Sequence, residues 1–176
     1  NTPANIDHPE LHIVEGRLHL ARADRLRDGT GDTDQILLGS AIKSFEAALE
    51  LNRELGVAWL GLARTQRLMR NLDAAGESLT RARRLLGDTD SPCSIEAAML
   101  AIDNNDIHAA TRYIDAAEIQ GSGATIAYVR GNIAAHSGNV ERAIAMYTET
   151  LKENPKHIRA RLNRINGYLA LDQALE

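Results

Sequence analysis

The sequence predicts an all-α fold of stacked antiparallel helix pairs, and three observations carry the prediction. The first is compositional: 44% of the 176 residues are hydrophobic but only 3% are aromatic. A core with so few rings must be filled by Ala and aliphatic side chains on helices, because sheets draw on aromatic and β-branched residues. The second is a fixed period. Ala41, Ala75, Ala109 and Ala143 recur at one constant step, and the same step links Phe45, Leu79, Tyr113 and Tyr147, then Ala48, Ala82, Ala116 and Thr150, then Asn71, Asn105 and Asn139. The third is the spacing inside each unit. Offsets of 4 and 7 from the first Ala put two small residues and one large knob on a single helical face, the seam of a close helix contact.

The elements follow in order. A first helix is expected over 9–27, with His8 outside it because it precedes Pro9. The polar insertion Asp28-Gly29-Thr30-Gly31-Asp32-Thr33-Asp34 separates it from a helix over 34–51. The apolar run Val57–Ala63 opens a helix over 56–70, and Arg70-Asn71-Leu72-Asp73 turns the chain into one over 73–86. Ser91-Pro92 marks the start of a helix over 92–103, followed by one over 106–118. The loop Gly121-Ser122-Gly123 precedes a helix over 124–137, and the turn Gly138-Asn139-Val140-Glu141 leads into 140–153. Asn154-Pro155 closes that helix before a final one over 157–172.

These units resemble the tetratricopeptide repeat, whose 34-residue pattern has the same step and runs from an aromatic or Leu through Leu and a small residue to a turn, then Ala, an aromatic, Ala and Pro. Trp59, Leu62, Ala63, Ala75, Leu79 and Ala82 fit one unit; Gly131, Gly138, Ala143, Tyr147 and Pro155 fit another. The family's Pro column reads Arg53, Gly87, Gly121 and Pro155, so it matches once. The resemblance implies a right-handed α-solenoid, a superhelix with the first helix of each pair on its concave face. It implies one domain over 1–176, with units at 9–53, 54–87, 88–121 and 122–155 and a final helix at 157–172. The first unit is atypical because of the insertion at 28–34. The helix-prone end, Leu169 to Glu176, has no Gly or Pro stop, so a longer chain is expected.

Chemical sites find little support. Asp28, Thr30, Asp32 and Asp34 alternate as calcium ligands do, but Thr33 stands where the loop needs Gly and Gly39 where it needs Glu. His12 and His19 lie two helical turns apart, about 10 Å, too far to share one metal. Gly121-Ser122-Gly123 lacks the preceding strand and following Lys of a phosphate loop. Cys93, the lone cysteine, sits at a helix start where the repeat pattern wants a small core residue. No catalytic residue, metal site or cofactor is expected, no apolar run reaches the roughly 20 residues of a membrane helix, and the chain is read as a non-enzyme.

Charge alternates along the chain: residues 64–84 carry a net +4, 85–120 a net −6, and 152–164 a net +4. Nucleic acid prefers a continuous basic stripe with stacking aromatics, so it is not an expected partner. A protein or peptide partner of mixed charge fits better. On the concave face the expected contacts are Leu60, Arg64 and Arg67, then Ser94, Ala98 and Ala101, then Tyr128, Asn132 and Ala135, and last Leu162 and Asn166. Asn132 and Asn166 can donate to and accept from a peptide backbone, Arg64 can clamp a carboxylate, and Tyr128 offers a flat ring with a polar tip.

The reading is therefore a non-catalytic scaffold that holds a partner segment in its groove. The irregular, Arg- and Ala-rich repeats look like bacterial arrays that assemble envelope, pilus or polysaccharide-secretion machinery. The compartment stays open between periplasm or envelope and cytoplasm. The alternatives are a self-associating structural module and an adaptor domain of a larger enzyme or regulator.

Overall fold

A computed structural model describes residues 8–26 and 31–173, with the side chains of 8–24 and 35–172. Its helices are α1 (Pro9–Leu26), α2 (Gly31–Leu51), α3 (Gly56–Leu68), α4 (Leu72–Leu86), α5 (Ser91–Asp103), α6 (Ile107–Ile119), α7 (Ala124–His136), α8 (Val140–Glu153) and α9 (Ile158–Gln173). The fold is all-α, as expected from the small-residue seams. α2 begins at Gly31 and so takes in part of the 28–34 segment expected to be a turn. Asp28 and Thr30 lie outside the described residues.

The chain forms two compact units, Asn1–Asp88 and Thr89–Glu176. The division, between residues 88 and 89, falls one residue into the repeat unit expected over 88–121. In the first unit α1 pairs with α2 and α3 with α4, and α3 packs on both helices of the preceding pair. Phe45 is the fully buried centre of this core, ringed by Ile13, Leu20, Leu38, Leu49, Leu62 and Leu68. Its ring lies so close to α1 that a Cβ on Gly16 would come within 2.8 Å of it, and only glycine permits that approach.

In the second unit α5 pairs with α6 and α7 with α8, α7 also touches α5 and α6, and α9 packs on α8. One cluster gathers Ala98, Ile102, Ala110, Ile114, Ala117 and Val129, and another gathers Ala134, Ala143, Tyr147 and Ala160. Cys93 is wholly buried, as a small core residue. Arg130 of α7 donates to Asp115 of α6 at 2.9 Å and to Glu118 of the same helix, so two of the acids in the 85–120 run serve to join neighbouring pairs.

The repeat period is not uniform. α3 begins at 56, α5 at 91 and α7 at 124, steps of 35 and then 33, because α4 has 15 residues and α6 has 13. The α5–α6 pair is therefore displaced by one residue. Its buried column reads Ala110, Ile114 and Ala117, all at zero exposure, whereas the expected Tyr113 and Ala116 are only half-buried. The turn moves with it. Asn71 and Asn139, two members of the Asn column, cap α4 and α8, but α6 is capped by Asp106, whose carboxylate accepts from Ala109 N at 2.9 Å. Asn105 instead takes the left-handed position of the turn, φ 60°, equivalent to Arg70 at 66° and Gly138 at 77°. Asn tolerates that conformation because its short side chain can bond locally.

Candidate functional site

The residues expected on first-helix faces belong to different units and have different surroundings. In the first unit Leu60 is half-buried and Arg64 is exposed, its guanidinium donating to Asp24 of α1 at 2.8 Å. Arg67 is buried, 6% exposed, within the packing of α3. Arg64 thus already holds a carboxylate, one from its own chain.

On α5 the expected Ser94, Ala98 and Ala101 are all buried. The one-residue displacement explains this, since it makes Ile95, Met99 and Ile102 the equivalents of Tyr128, Asn132 and Ala135. Their apolar character was masked by the fixed period.

The second unit brings the remaining residues together. A cavity of about 350 Å³ opens between α7, α8 and α9, lined by Asn132, Ala135, His136, Val140, Ala143, Tyr147, Asn163, Asn166, Gly167 and Ala170. Its walls are small and aliphatic, and its floor is polar. Asn132 is 7% exposed, and its carbonyl accepts from Tyr147 Oη at 3.0 Å and from Asn163 Nδ2 at 3.2 Å. Asn163 Nδ2 also reaches Tyr147 Oη at 3.4 Å, and Asn132 Nδ2 points at Met99 Sδ, 3.7 Å away. A thioether is a weak acceptor, so the Asn132 amide keeps donor capacity while its carbonyl is saturated.

Each member of this floor is placed by the helix below it. Tyr147 passes over α7 where Gly131 leaves room, for a Cβ there would stand 2.5 Å from the ring. Burial pushes the Tyr147 phenol up to about 12, against the hydrogen bond from Asn163, so it stays a neutral donor. His136 is fixed by a 2.9 Å contact between its Nδ1 and Asn132 O. Tyr128, half-buried, tilts against Tyr147 with ring centroids 6.0 Å apart and against His157 at 4.6 Å. Asn166, exposed, lines the same cavity.

The structure therefore brings together Asn132 and Asn166, with Tyr128 behind them. Asn163, Tyr147 and His136 were missed as site residues. A search by fixed period could not find them, since Asn163 lies 31 residues from Asn132 and Tyr147 lies 15. The arrangement offers amide donors and acceptors above a neutral floor and between apolar walls. It has no nucleophile paired with a base. Among the described residues no cluster of His, Cys, Asp and Glu is placed to hold a metal, and no helix is long and apolar enough to cross a membrane.

A second recess, about 420 Å³, lies in the first unit beside Glu46, Glu50, Arg53, Trp59 and Arg81. Trp59 donates from Nε1 to Arg53 O at 2.9 Å, and the Arg81 guanidinium covers its ring at 4.6 Å. The flat face of the Trp is thus occupied by the chain itself.

Residues 95–165 match the profile of a family described as tetratricopeptide repeat. Solved structures match nearly the whole chain in fold. A chain of the APC/C hetero-tetramer Cut9–Hcn1 aligns with a TM-score of 0.70 at 18% identity, covering 98% of this chain, which spans 38% of that one. MamA aligns at 0.57 and 20% identity, with 85% of this chain and 84% of that chain covered. TTC0263, a thermophilic tetratricopeptide-repeat protein of Thermus thermophilus, aligns at 0.53 and 16% identity, with 88% and 99% covered. No curated protein sequence matches the chain.

Proposed function

Residues 95–165 carry the tetratricopeptide repeat and the whole chain has the α-solenoid fold, and from this we propose that it is a non-catalytic scaffold that binds a segment of a partner protein in the groove of its second unit. The observation that carries the reading is the polar floor of the cavity between α7, α8 and α9. Asn132, Tyr147 and Asn163 satisfy one another while the exposed Asn166 amide remains for a ligand. Burying amides in an apolar recess is costly unless they bond, and a peptide backbone supplies alternating carbonyls and N–H groups to such a surface. Tyr128, outside the cavity lining, would support it from behind by packing its ring against Tyr147. In the first unit, taken by itself, Leu60 and Arg64 would offer a separate contact surface, Arg64 by exchanging Asp24 for a partner carboxylate, whereas the buried Arg67 does not reach a ligand.

Assembly work is the broader role, a reading supported by the match to a chain of a hetero-tetramer. The finer reading is an envelope, pilus or polysaccharide-secretion complex of a bacterium, supported by the irregular Arg- and Ala-rich repeats. Capture of partners from lysate by the purified chain, read by mass spectrometry, tests the groove. Asn166→Ala removes one exposed amide and should reduce capture several-fold with the helical circular dichroism unchanged. Asn132→Ala should reduce capture and also lower stability, because it strips the acceptor from Tyr147 and Asn163. Undiminished capture by both variants would refute the groove as the binding surface.

A further inference from the structure

The last two turns of α2 run against the local rules for helices. Glu46 and Glu50 stand one turn apart on one face, and like charges at that spacing repel. They also stand at the end of α2 where the helix dipole is negative and favours cations, yet the last turn holds no basic residue. The chain offers no relief. Arg53 and Arg81 line the same recess, but neither carboxylate makes an ion pair among the described residues.

That recess, about 420 Å³ in the first unit, has the remaining parts of a site for a flat cation. Leu49 and Leu62, both buried, form an apolar floor along which an aliphatic stem can lie, and half-buried Trp59 supplies an aromatic face. The indole is fixed in orientation by its bond to Arg53 O, and that a guanidinium suits its face is shown by Arg81, which rests there at 4.6 Å. Arg81 is exposed and makes no ion pair among the described residues, so it holds the ring without a carboxylate. A cation on an aromatic face at an exposed site is weakly held. A guanidinium from outside would gain the ring and two carboxylates together, and Arg81, released to solvent, would leave two acids in the recess against Arg53 alone.

We propose that this recess receives an arginine side chain from a basic segment of a partner protein, which displaces Arg81 from Trp59 and pairs with Glu46 and Glu50. Arginine fits better than lysine because its planar group stacks on the indole and bonds carboxylates through two donors at once, whereas an ammonium is a compact, strongly hydrated charge. The site belongs to the first unit and does not depend on the cavity between α7, α8 and α9.

Trp59, the single tryptophan, reports occupancy directly. Titration at low ionic strength with the blocked peptide acetyl-Gly-Ser-Arg-Ser-Gly-amide, to millimolar concentrations, should move its emission to shorter wavelength and saturate, with calorimetry giving the same constant. The peptide with citrulline in place of arginine keeps the shape without the charge and should bind roughly tenfold or more weakly. Glu46→Gln combined with Glu50→Gln should weaken the arginine peptide by a similar factor, and Arg81→Gln should strengthen it several-fold by removing the competitor. Glu50→Lys should abolish binding and yet raise the thermal midpoint of the free chain, because Glu46 gains a partner one turn away and α2 a cation at its end. All these positions are exposed, so helical circular dichroism should be unchanged. Neither emission change nor heat on titration would overturn the proposal. So would equal binding of the citrulline peptide, undiminished binding by the double glutamine variant, weaker binding by Arg81→Gln, or a lower midpoint for Glu50→Lys.

Discussion

The Tyr147 phenol is held at three points: Gly131 lies under its ring, and its hydroxyl is tied to Asn132 and Asn163. A ring so tethered cannot swing away from an added methyl group. Gly131→Ala should therefore cost about 1–3 kcal/mol by overpacking, seen as a lower denaturant midpoint at an unchanged slope. The same tethering predicts a pH dependence. Tyrosine ionises near 10 in the unfolded chain and at about 12 here, so the unfolded state gives up its proton first. Stability from this group is complete below pH 10 and is lost as pH rises towards 12. Tyr147→Phe should flatten thermal stability against pH in that window relative to the parent, and equal slopes would contradict the assignment.

At the scale of the element, the α5–α6 pair decides how its turn residues behave. Asp106→Ala removes a cap with a 2.9 Å bond and should cost about 1 kcal/mol. Asn105→Gly should be neutral or slightly stabilising, because glycine accepts the left-handed backbone without strain. Were Asn105 the cap, Asn105→Gly would lose the cap bond and destabilise by a few tenths of a kcal/mol, and Asp106→Ala would cost little. Thermal denaturation of the two variants separates these cases. The helices themselves were legible because apolar periodicity, turn residues and Pro9, Pro92 and Pro155 all agreed. The displacement was not, and the reason is local: Asn104-Asn105, Ala109-Ala110, Tyr113-Ile114 and Ala116-Ala117 are pairs of similar residues, so either register satisfies the pattern. Burial alone chooses between them. The groove floor escaped for a different reason. Asn132, Tyr147 and Asn163 meet across three helices at separations that no repeat column links, and only the packing of α7, α8 and α9 brings them together.

At the scale of the whole molecule, each compact unit has its own core, around Phe45 in one and around Ile114 and Tyr147 in the other. The single Trp lies in the first unit and all four Tyr in the second. Urea unfolding followed by Trp59 emission and by tyrosine absorbance should therefore report the two units separately. Gly131→Ala should lower the midpoint seen by tyrosine and leave that seen by Trp59 in place; equal shifts in both would mean that the units melt as one. The unequal steps between helix pairs also bear on how such a gene can change length. An unequal crossover that joins Ala98 directly to Asn132 deletes Met99 through Gly131, one residue short of the nominal period, and the fused helix keeps its buried face because Asn132 replaces Met99 in the same column. A deletion of one full nominal period at the same place would turn the distal half of that helix by about 100°, exposing its apolar side. At this junction the segment whose loss keeps the buried face is one residue shorter than the nominal repeat, and between α3 and α5 it is one residue longer.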